Sequence, residues 1–202
     1  MQGFQEFLTE AKNTHLEHLE DEIINNGTKG AKTSIEFLKS IKKMLQGGKG
    51  GSSVSVKWDG APAVFCGINP ENGKFFVGTK SIFNATPKIN YTNADIKRNH
   101  GGALADKLKI CLKFLPSLGI KNVLQGDLLF TSEDKKTAKV AGQQSIIFTP
   151  NTITYAVPKV SSGFLGLGGS IYKEINSAKL GIVFHTSYSG KTMAGLSAKF
   201  GA

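Results

Sequence analysis

The sequence predicts an α+β fold in which N-terminal helices precede a mainly antiparallel sheet core. Residues 1–46 carry apolar side chains at helical spacing, whereas short segments typical of strands take over after residue 53. Asn72-Gly73, between two of these segments, is a strong hairpin signal and indicates that neighbouring strands run antiparallel.

Capping-box patterns predict where the early helices begin. Thr14–Glu17 precedes one run of apolar residues at helical spacing, and Thr33–Glu36 precedes a second run. Asn26-Gly27 is the expected stop between the two helices. Residues 102–114 are mostly apolar and predict a later helix, inserted among the strands.

The strand set is predicted from short apolar runs that are rich in β-branched and aromatic residues. The predicted strands are Val54–Val56, Ala63–Cys66, Lys74–Val77, Val123–Phe130, Ser145–Phe148, Thr152–Val157 and Gly181–His185. Glycine-rich loops are expected at residues 47–53 and at Gly163–Gly169.

Net charge, cysteine spacing and hydropathy narrow the range of functions that the chain can have. The chain of 202 residues has a formal net charge of +10, nearly all of it from lysine, which favours contact with polyanions and with nucleic acid first. Solubility alone is the competing interpretation. Cys66 and Cys111 lack metal-site spacing, and neither a secretory signal nor a membrane-spanning run is present in the sequence.

Lys57 and Asp59 stand between two apolar runs, at the end of a predicted strand. Alternate residues of a strand share a face, so both side chains would point into one cleft while Trp58 packs the other way. A lysine amine becomes a nucleophile when apolar surroundings or nearby cations lower its pKa. An ion pair at a strand end is the other interpretation of the same two residues.

Lys57–Gly60 also resembles the KxDG motif of the covalent nucleotidyltransferases, which include ATP-dependent DNA ligases, RNA ligases and mRNA capping enzymes. In that family the lysine attacks the α-phosphate of a nucleotide and carries the nucleoside monophosphate. The resemblance implies the ligase-type nucleotidyltransferase fold, which is similar to ATP-grasp, across residues 47–202. Lys57 would be the catalytic nucleophile.

Further motifs of the family are matched in order. Residues 123–129 resemble the (D/G)GE motif with an aspartate in place of the glutamate, and residues 152–157 resemble the strand that supplies a base-stacking aromatic. Residues 179–185 resemble EGIVIK. The resemblance implies that the nucleotide is bound by Val56, Asp59, Gly60, Lys80, Asp127, Tyr155, Lys191 and Lys199, and that Asp59 and Asp127 hold Mg²⁺.

The sequence departs from the family at three positions. Leu180 stands where EGIVIK has its glutamate, His185 stands where it has its lysine, and Pro62 replaces an arginine that is usual in DNA ligases. No sequence for an OB-fold domain follows residue 200, so we expect a chain without one. A divergent active enzyme, an enzyme that stops at lysine adenylylation and a nucleotide-binding relic all fit these departures.

The N-terminus carries a second resemblance. Leu8-Thr9-Glu10, followed by Ala11, resembles the processing site of prohead proteases in large tailed phages. Residues 1–10 would then be a capsid-targeting leader that is cut after Glu10, followed by a helical segment over residues 11–46. The competing interpretation is that these residues form one face of an N-terminal helix.

Together these patterns predict a ligase-like nucleotidyltransferase of phage origin that forms a lysine–NMP intermediate. Its expected substrates are ATP, favoured over GTP, and nucleic acid for end joining or modification, with Mg²⁺ as cofactor. We expect it in the phage head or the host cytoplasm, without a membrane partner. The alternatives are a non-catalytic, basic DNA-binding head protein on the same fold and an enzyme that transfers NMP to a protein.

Overall fold

The computed structural model describes residues 18–47, 58–159 and 168–200. The chain divides into two compact units, residues 1–57 and residues 58–202. The predicted strand Val54–Val56 and the capping box Thr14–Glu17 lie outside the described residues. No helix in the described part of the chain has the length and apolar character needed to cross a membrane.

The described part of the first unit is α1 (Leu19–Leu45), which is broken at Gly27, where φ is 55°. The predicted stop at Asn26-Gly27 is therefore confirmed. The expectation of a helix running from residue 14 is wrong at His18, because the His18 backbone is extended. The His18 N–H donates to the Asp21 carboxylate and caps α1, which begins at Leu19.

The second predicted capping box, at Thr33, is also wrong. The Thr33 hydroxyl donates to the Lys29 carbonyl one turn earlier, which places Thr33 inside the helix. The two halves of α1 cross instead at Gly30, where a Cβ would lie 1.9 Å from the Glu22 carbonyl oxygen. The buried Ser34 hydroxyl donates to the Leu19 carbonyl at the same crossing.

The second unit contains the remaining helices and all the described strands. Its helices are α2 (Asn93–Asn99), α3 (Gly102–Phe114) and α4 (Gly168–Ser177). Its strands are β1 (Ala63–Ile68), β2 (Phe75–Gly78), β3 (Val123–Thr131), β4 (Lys136–Val140), β5 (Gln143–Phe148), β6 (Tyr155–Pro158), β7 (Leu180–Ser189) and β8 (Ser197–Phe200).

The strands form two antiparallel sheets, so the predicted α+β class and the antiparallel core are confirmed. The larger sheet has the order β2-β1-β3-β7-β8, and the smaller has the order β4-β5-β6. β1 and β2 pair across the predicted Asn72-Gly73 turn, and Ala63 in β1 lies opposite Asp127 in β3. The predicted helix over residues 102–114 coincides with α3.

Three apolar clusters hold the second unit together. One lies between α3 and one face of the larger sheet and includes Val64 and Leu108. A second covers part of the other face around Phe76 and Tyr188. The third joins β3 to the smaller sheet and α4 around Phe148. The smaller sheet therefore packs near the centre of the larger one, which creates a boundary between the two sheets.

Two α-helices and two strands among the described residues were not predicted as such, and each has a weak sequence signal. α2 is short and starts with a capping box, Thr92 to Asp95, that its brevity hides. β4 is a mostly exposed edge strand with little apolar character. β8 is four residues long. Gly168 and Gly169, expected in a loop, belong to α4, whose glycine-rich start argues against a helix on propensity alone.

Candidate functional site

The segment that follows Lys57 is pressed against the middle of β3. A Cβ at Gly60 would lie 2.8 Å from the Leu128 carbonyl oxygen and 3.0 Å from the Asp127 Cβ, so this approach requires glycine. The Leu128 N–H donates to the Pro62 carbonyl at 3.1 Å and continues the β1–β3 pairing. Two predicted site residues from distant motifs, Gly60 and Asp127, are thus neighbours.

Tyr155 fixes the backbone of Asp59. Its hydroxyl accepts a hydrogen bond from the Asp59 N–H at 2.9 Å and donates to the Asp59 carbonyl at 3.1 Å. Tyr155 begins β6, in the smaller sheet, so this pair of bonds ties the segment after Lys57 to that sheet. We call it the Tyr155 latch.

The Asp59 side chain is held by the loop before β6. Asn151 Nδ2 donates to the two carboxylate oxygens at 3.3 and 3.1 Å, and the Thr152 hydroxyl lies 3.5 Å from Oδ2. A carboxylate can accept about four hydrogen bonds, so these contacts fix its orientation and leave acceptor capacity for a ligand.

An aromatic stack lies beside the latch. The Tyr155 ring is 5.1 Å from the Trp58 ring and 5.5 Å from the Phe148 ring, measured between centroids. Tyr155, predicted to stack on a nucleotide base, thus already contacts two protein rings. Trp58, which was not predicted as a site residue, is the exposed member of the stack, with 43% of its surface accessible.

Asp127 and His185 form a buried pair on neighbouring strands. His185 Nε2 lies 3.6 Å from Asp127 Oδ1, and His185 Nδ1 lies 2.8 Å from the Thr186 hydroxyl. The β3–β7 register shifts here, because Gly126 pairs with Phe184 while Gln125 pairs with Thr186. His185 is the extra residue of this bulge, and the bulge brings its ring to Asp127.

Packing explains why residue 180 is a leucine and not the glutamate of the EGIVIK motif. Leu180 lies opposite Thr131 at the start of β7 and packs against the apolar cluster under α3, together with Ile182 and Phe184. A carboxylate at residue 180 would be desolvated among these side chains without a partner, which is unfavourable. Leu180 therefore packs, partly buried, at the edge of the core.

The three predicted phosphate-binding lysines do not gather around Asp127. Lys80 is exposed and follows β2 at the end of the sheet that also holds Ala63 and Asp127. Lys191 follows β7 at the other end, since the nearby Met193 N–H donates to Glu71 in the turn between β1 and β2.

Lys199 lies on the other face of the larger sheet from Asp127. Lys199 in β8 pairs with Ser187 in β7, and Ser187 pairs with Leu124 in β3. Leu124 in turn pairs with Cys66 in β1. Directly opposed residues of antiparallel strands share a face, and Cys66 belongs to the cluster under α3. Asp127 is three residues from Leu124 and faces the smaller sheet. The structure therefore does not bring Lys191 or Lys199 together with Asp127, and their phosphate-binding role stays a prediction.

The described carboxylates suit only one kind of metal site. Among the described residues, no three His, Cys, Asp or Glu side chains group together as a metal cage would require. Mg²⁺ is usually held by one or two carboxylates together with substrate phosphates, so the predicted pair of Asp59 and Asp127 does not need such a cage. These two residues would hold the ion once a nucleotide supplied the remaining oxygens.

The cysteines are unsuited to nucleophilic chemistry. Cys66 and Cys111 are fully buried in the cluster under α3. Burial raises the pKa of both thiols to about 12, so each stays protonated near neutral pH. Cysteine-based catalysis is therefore not supported.

Four predicted site residues lie outside the described residues: Val56, Lys57, Glu10 and Ala11. Their assigned roles stay predictions. Three contacts of the site were missed by sequence reasoning: Asn151 on Asp59, Trp58 on Tyr155, and His185 on Asp127. Only the last had a sequence signal, because His185 occupies a motif position of the family.

The chain belongs to a family described as "Family of unknown function (DUF6267)", whose model matches residues 13–202. No curated protein and no solved structure matches the chain. Family membership therefore assigns no activity, and the function has to be argued from the site.

Proposed function

We propose that the protein is a ligase-like nucleotidyltransferase that forms a covalent intermediate between Lys57 and a nucleoside monophosphate, with ATP as the donor. One observation carries the proposal: positions 59–60, 127, 155 and 185, which come from separate motifs of the resemblance, meet at one boundary between two antiparallel sheets. A ligase-type fold of the second unit is part of this proposal.

The proposed reaction is a single displacement at phosphorus. Lys57 Nζ, after losing a proton, forms a bond to the α-phosphorus, and the bond between that phosphorus and the bridging oxygen breaks to release pyrophosphate. Mg²⁺ bound with the nucleotide would neutralise charge on the phosphates.

The neighbouring side chains have positioning roles in this proposal. The Tyr155 latch and Asn151 fix the backbone and carboxylate that follow the nucleophile, and a fixed geometry raises the rate of such a displacement. The exposed ring of Trp58 is the best candidate to stack on the base, since Tyr155 is already packed. His185 takes the place of the family's lysine, with its Nε2 3.6 Å from Asp127 Oδ1.

A labelling experiment tests the proposal. The purified chain is incubated with Mg²⁺ and ATP labelled at the α-phosphate, and covalent label is measured after denaturation. We expect label on the wild type and on the control Lys74→Ala, whose lysine is exposed on the β1–β2 turn, and none on Lys57→Ala. Equal label on Lys57→Ala, or no label from ATP or GTP, would contradict an enzymatic function.

The nucleic-acid acceptor and packaging in a phage head remain part of the proposal and rest on the net charge of +10 and on the Leu8–Ala11 resemblance. The charge also supports a second candidate function, a non-catalytic DNA-binding head protein. Salt-dependent DNA binding that survives Lys57→Ala, combined with an absence of labelling, would favour the second candidate. The mass of the chain isolated from virions would test cleavage after Glu10.

A further inference from the structure

A small basic cavity lies where α4, β4 and the start of β7 meet, away from the Tyr155 latch. Its volume is about 250 Å³, and Lys135, Lys136 and Lys179 line it together with hydroxyl-bearing residues, among them Ser132 and Thr137. None of the described residues that line it is acidic. We call it the α4 cavity.

Lys135 is the structural member of the cavity. Its ammonium donates to the carbonyls of Ile175, Asn176 and Ala178 at 2.6, 2.9 and 2.8 Å, so its three N–H groups are used at the C-terminal end of α4. Burial and then the charge of Lys179 lower the pKa of Lys135, consistent with a local excess of positive charge.

Lys136 and Lys179 are the members that can bind a ligand. Both are exposed, and neither takes part in an ion pair within the described part of the chain. Their backbones are fixed, since Lys136 pairs with Ile147 in β4–β5 and the Lys179 carbonyl accepts from the Ser132 N–H at 3.1 Å.

Asp134, which lies two residues before Lys136, is already engaged. Asp134 accepts hydrogen bonds from the Thr131 N–H and hydroxyl and lies 3.4 Å from Lys107 Nζ. It therefore neutralises Lys107 rather than Lys136 or Lys179. The charge of Lys135 offsets the partial negative charge at the C-terminal end of α4, so Lys136 and Lys179, with hydroxyl donors beside them, form a site complementary to a phosphate oxygen cluster.

We propose that the α4 cavity binds a backbone phosphate of nucleic acid, as a site separate from the Lys57 chemistry. Lys136 and Thr137 of β4, the edge strand of the smaller sheet, line the cavity, and Lys139 on the same strand is also exposed, so a polymer can run along this edge with one phosphate seated. The net charge of +10 favours a polyanion over a lone phosphate. This inference does not depend on nucleotide transfer.

The test measures the DNA affinity of the full chain as a function of salt concentration. Fluorescence anisotropy with a labelled DNA duplex is recorded for wild type, for Lys136→Gln/Lys179→Gln, and for the control Lys97→Gln/Lys121→Gln, which removes the same charge from exposed positions elsewhere. Lys135 is left intact, and thermal melts check that every variant is folded.

We expect the cavity variant to lose about tenfold in affinity near 0.1 M salt and the slope of log K against log salt to fall by about 0.9, which is the contribution of one phosphate contact. In the control variant, both the DNA affinity and the salt slope should change much less than in the cavity variant. Lys136→Arg/Lys179→Arg should retain binding. Equal losses in the two glutamine variants, or no loss in either, would overturn the proposal.

Free inorganic phosphate is the alternative ligand of the α4 cavity, and a second measurement distinguishes it from nucleic acid. Inorganic phosphate is added to the wild type and to the cavity variant, and the thermal midpoint is measured. If phosphate stabilises only the wild type while DNA affinity is the same for both, the cavity is a site for free phosphate and the proposal fails. If duplex affinity falls in the variant as expected, the nucleic-acid site is supported.

Discussion

At the scale of single residues, Tyr155 makes contacts that its motif position does not predict. The sequence predicts an aromatic that stacks on a base, but the hydroxyl bridges the N–H and the carbonyl of Asp59. Its ring rests against Trp58 and Phe148. Tyr155 therefore fixes the segment next to Lys57, and the exposed Trp58 ring is the one that we propose to stack on the base.

Tyr155→Phe tests the latch, because it removes the hydroxyl and keeps the ring. We expect a loss of about 1–2 kcal/mol in the free energy of unfolding, since the partly buried Asp59 N–H loses its partner. Labelling of Lys57 should slow by about tenfold or more, as expected when a nucleophile is no longer held in position. Urea unfolding and a time course of labelling measure these effects.

The control for this substitution is Tyr172→Phe. Tyr172 packs against the same cluster from α4, and no hydrogen bond of its hydroxyl is found among the described residues. If Tyr155→Phe and Tyr172→Phe have equal stability and equal labelling rates, the latch has no positioning role.

At the scale of elements, α4 depends on a lysine from outside the helix. Its glycine-rich start is a weak helix signal, and the sequence alone predicts a loop over Gly163–Gly169. The helix is supported at its other end, where Lys135 binds three carbonyls, and by Tyr172 and Ile175, which pack into the third cluster. A cation at a helix C-terminus is favourable because it opposes the helix dipole.

Lys135→Met should therefore destabilise α4, because the substitution keeps the length of the side chain but leaves three carbonyls without their donor. We expect a loss of about 1.5–3 kcal/mol in the free energy of unfolding, as for hydrogen bonds to a charged group. Lys139→Met, four residues further along the chain in β4 and exposed, is the matched control and should cost less than about 0.5 kcal/mol. Equal midpoints for both variants in urea would contradict the role of Lys135.

At the scale of the whole molecule, all three apolar clusters lie in residues 58–202. The described residues of the first unit form a broken helix whose larger apolar side chains, such as Ile24 and Leu45, are exposed. The stability of the chain should therefore reside in the second unit.

A fragment of residues 47–202 tests this distribution and still includes Lys57. We expect it to unfold in one cooperative transition, with a free energy of unfolding within about 1 kcal/mol of the full chain, because burial of apolar surface dominates stability. Circular dichroism and fluorescence in urea should give coincident curves. A fragment without a cooperative transition would mean that the helical segment completes the core.

The sequence by itself determined the elements whose signals are local. The apolar spacing of α3, the Asn72-Gly73 hairpin, the break at Gly27 and most strands were predicted from a few consecutive residues each. The α+β class follows from their order along the chain. The candidate positions Asp59, Gly60 and Asp127 were predicted because they fall within short motifs.

Only the tertiary structure decided which of those positions meet. Whether a strand residue faces the cleft or the core depends on register, and a shift of one residue reverses the face. A bulge turns His185 toward Asp127, whereas the β7–β8 register places Lys199 on the opposite face. The Tyr155 latch joins residues 96 positions apart, and no local pattern encodes such a contact, because it forms only when the two sheets pack together.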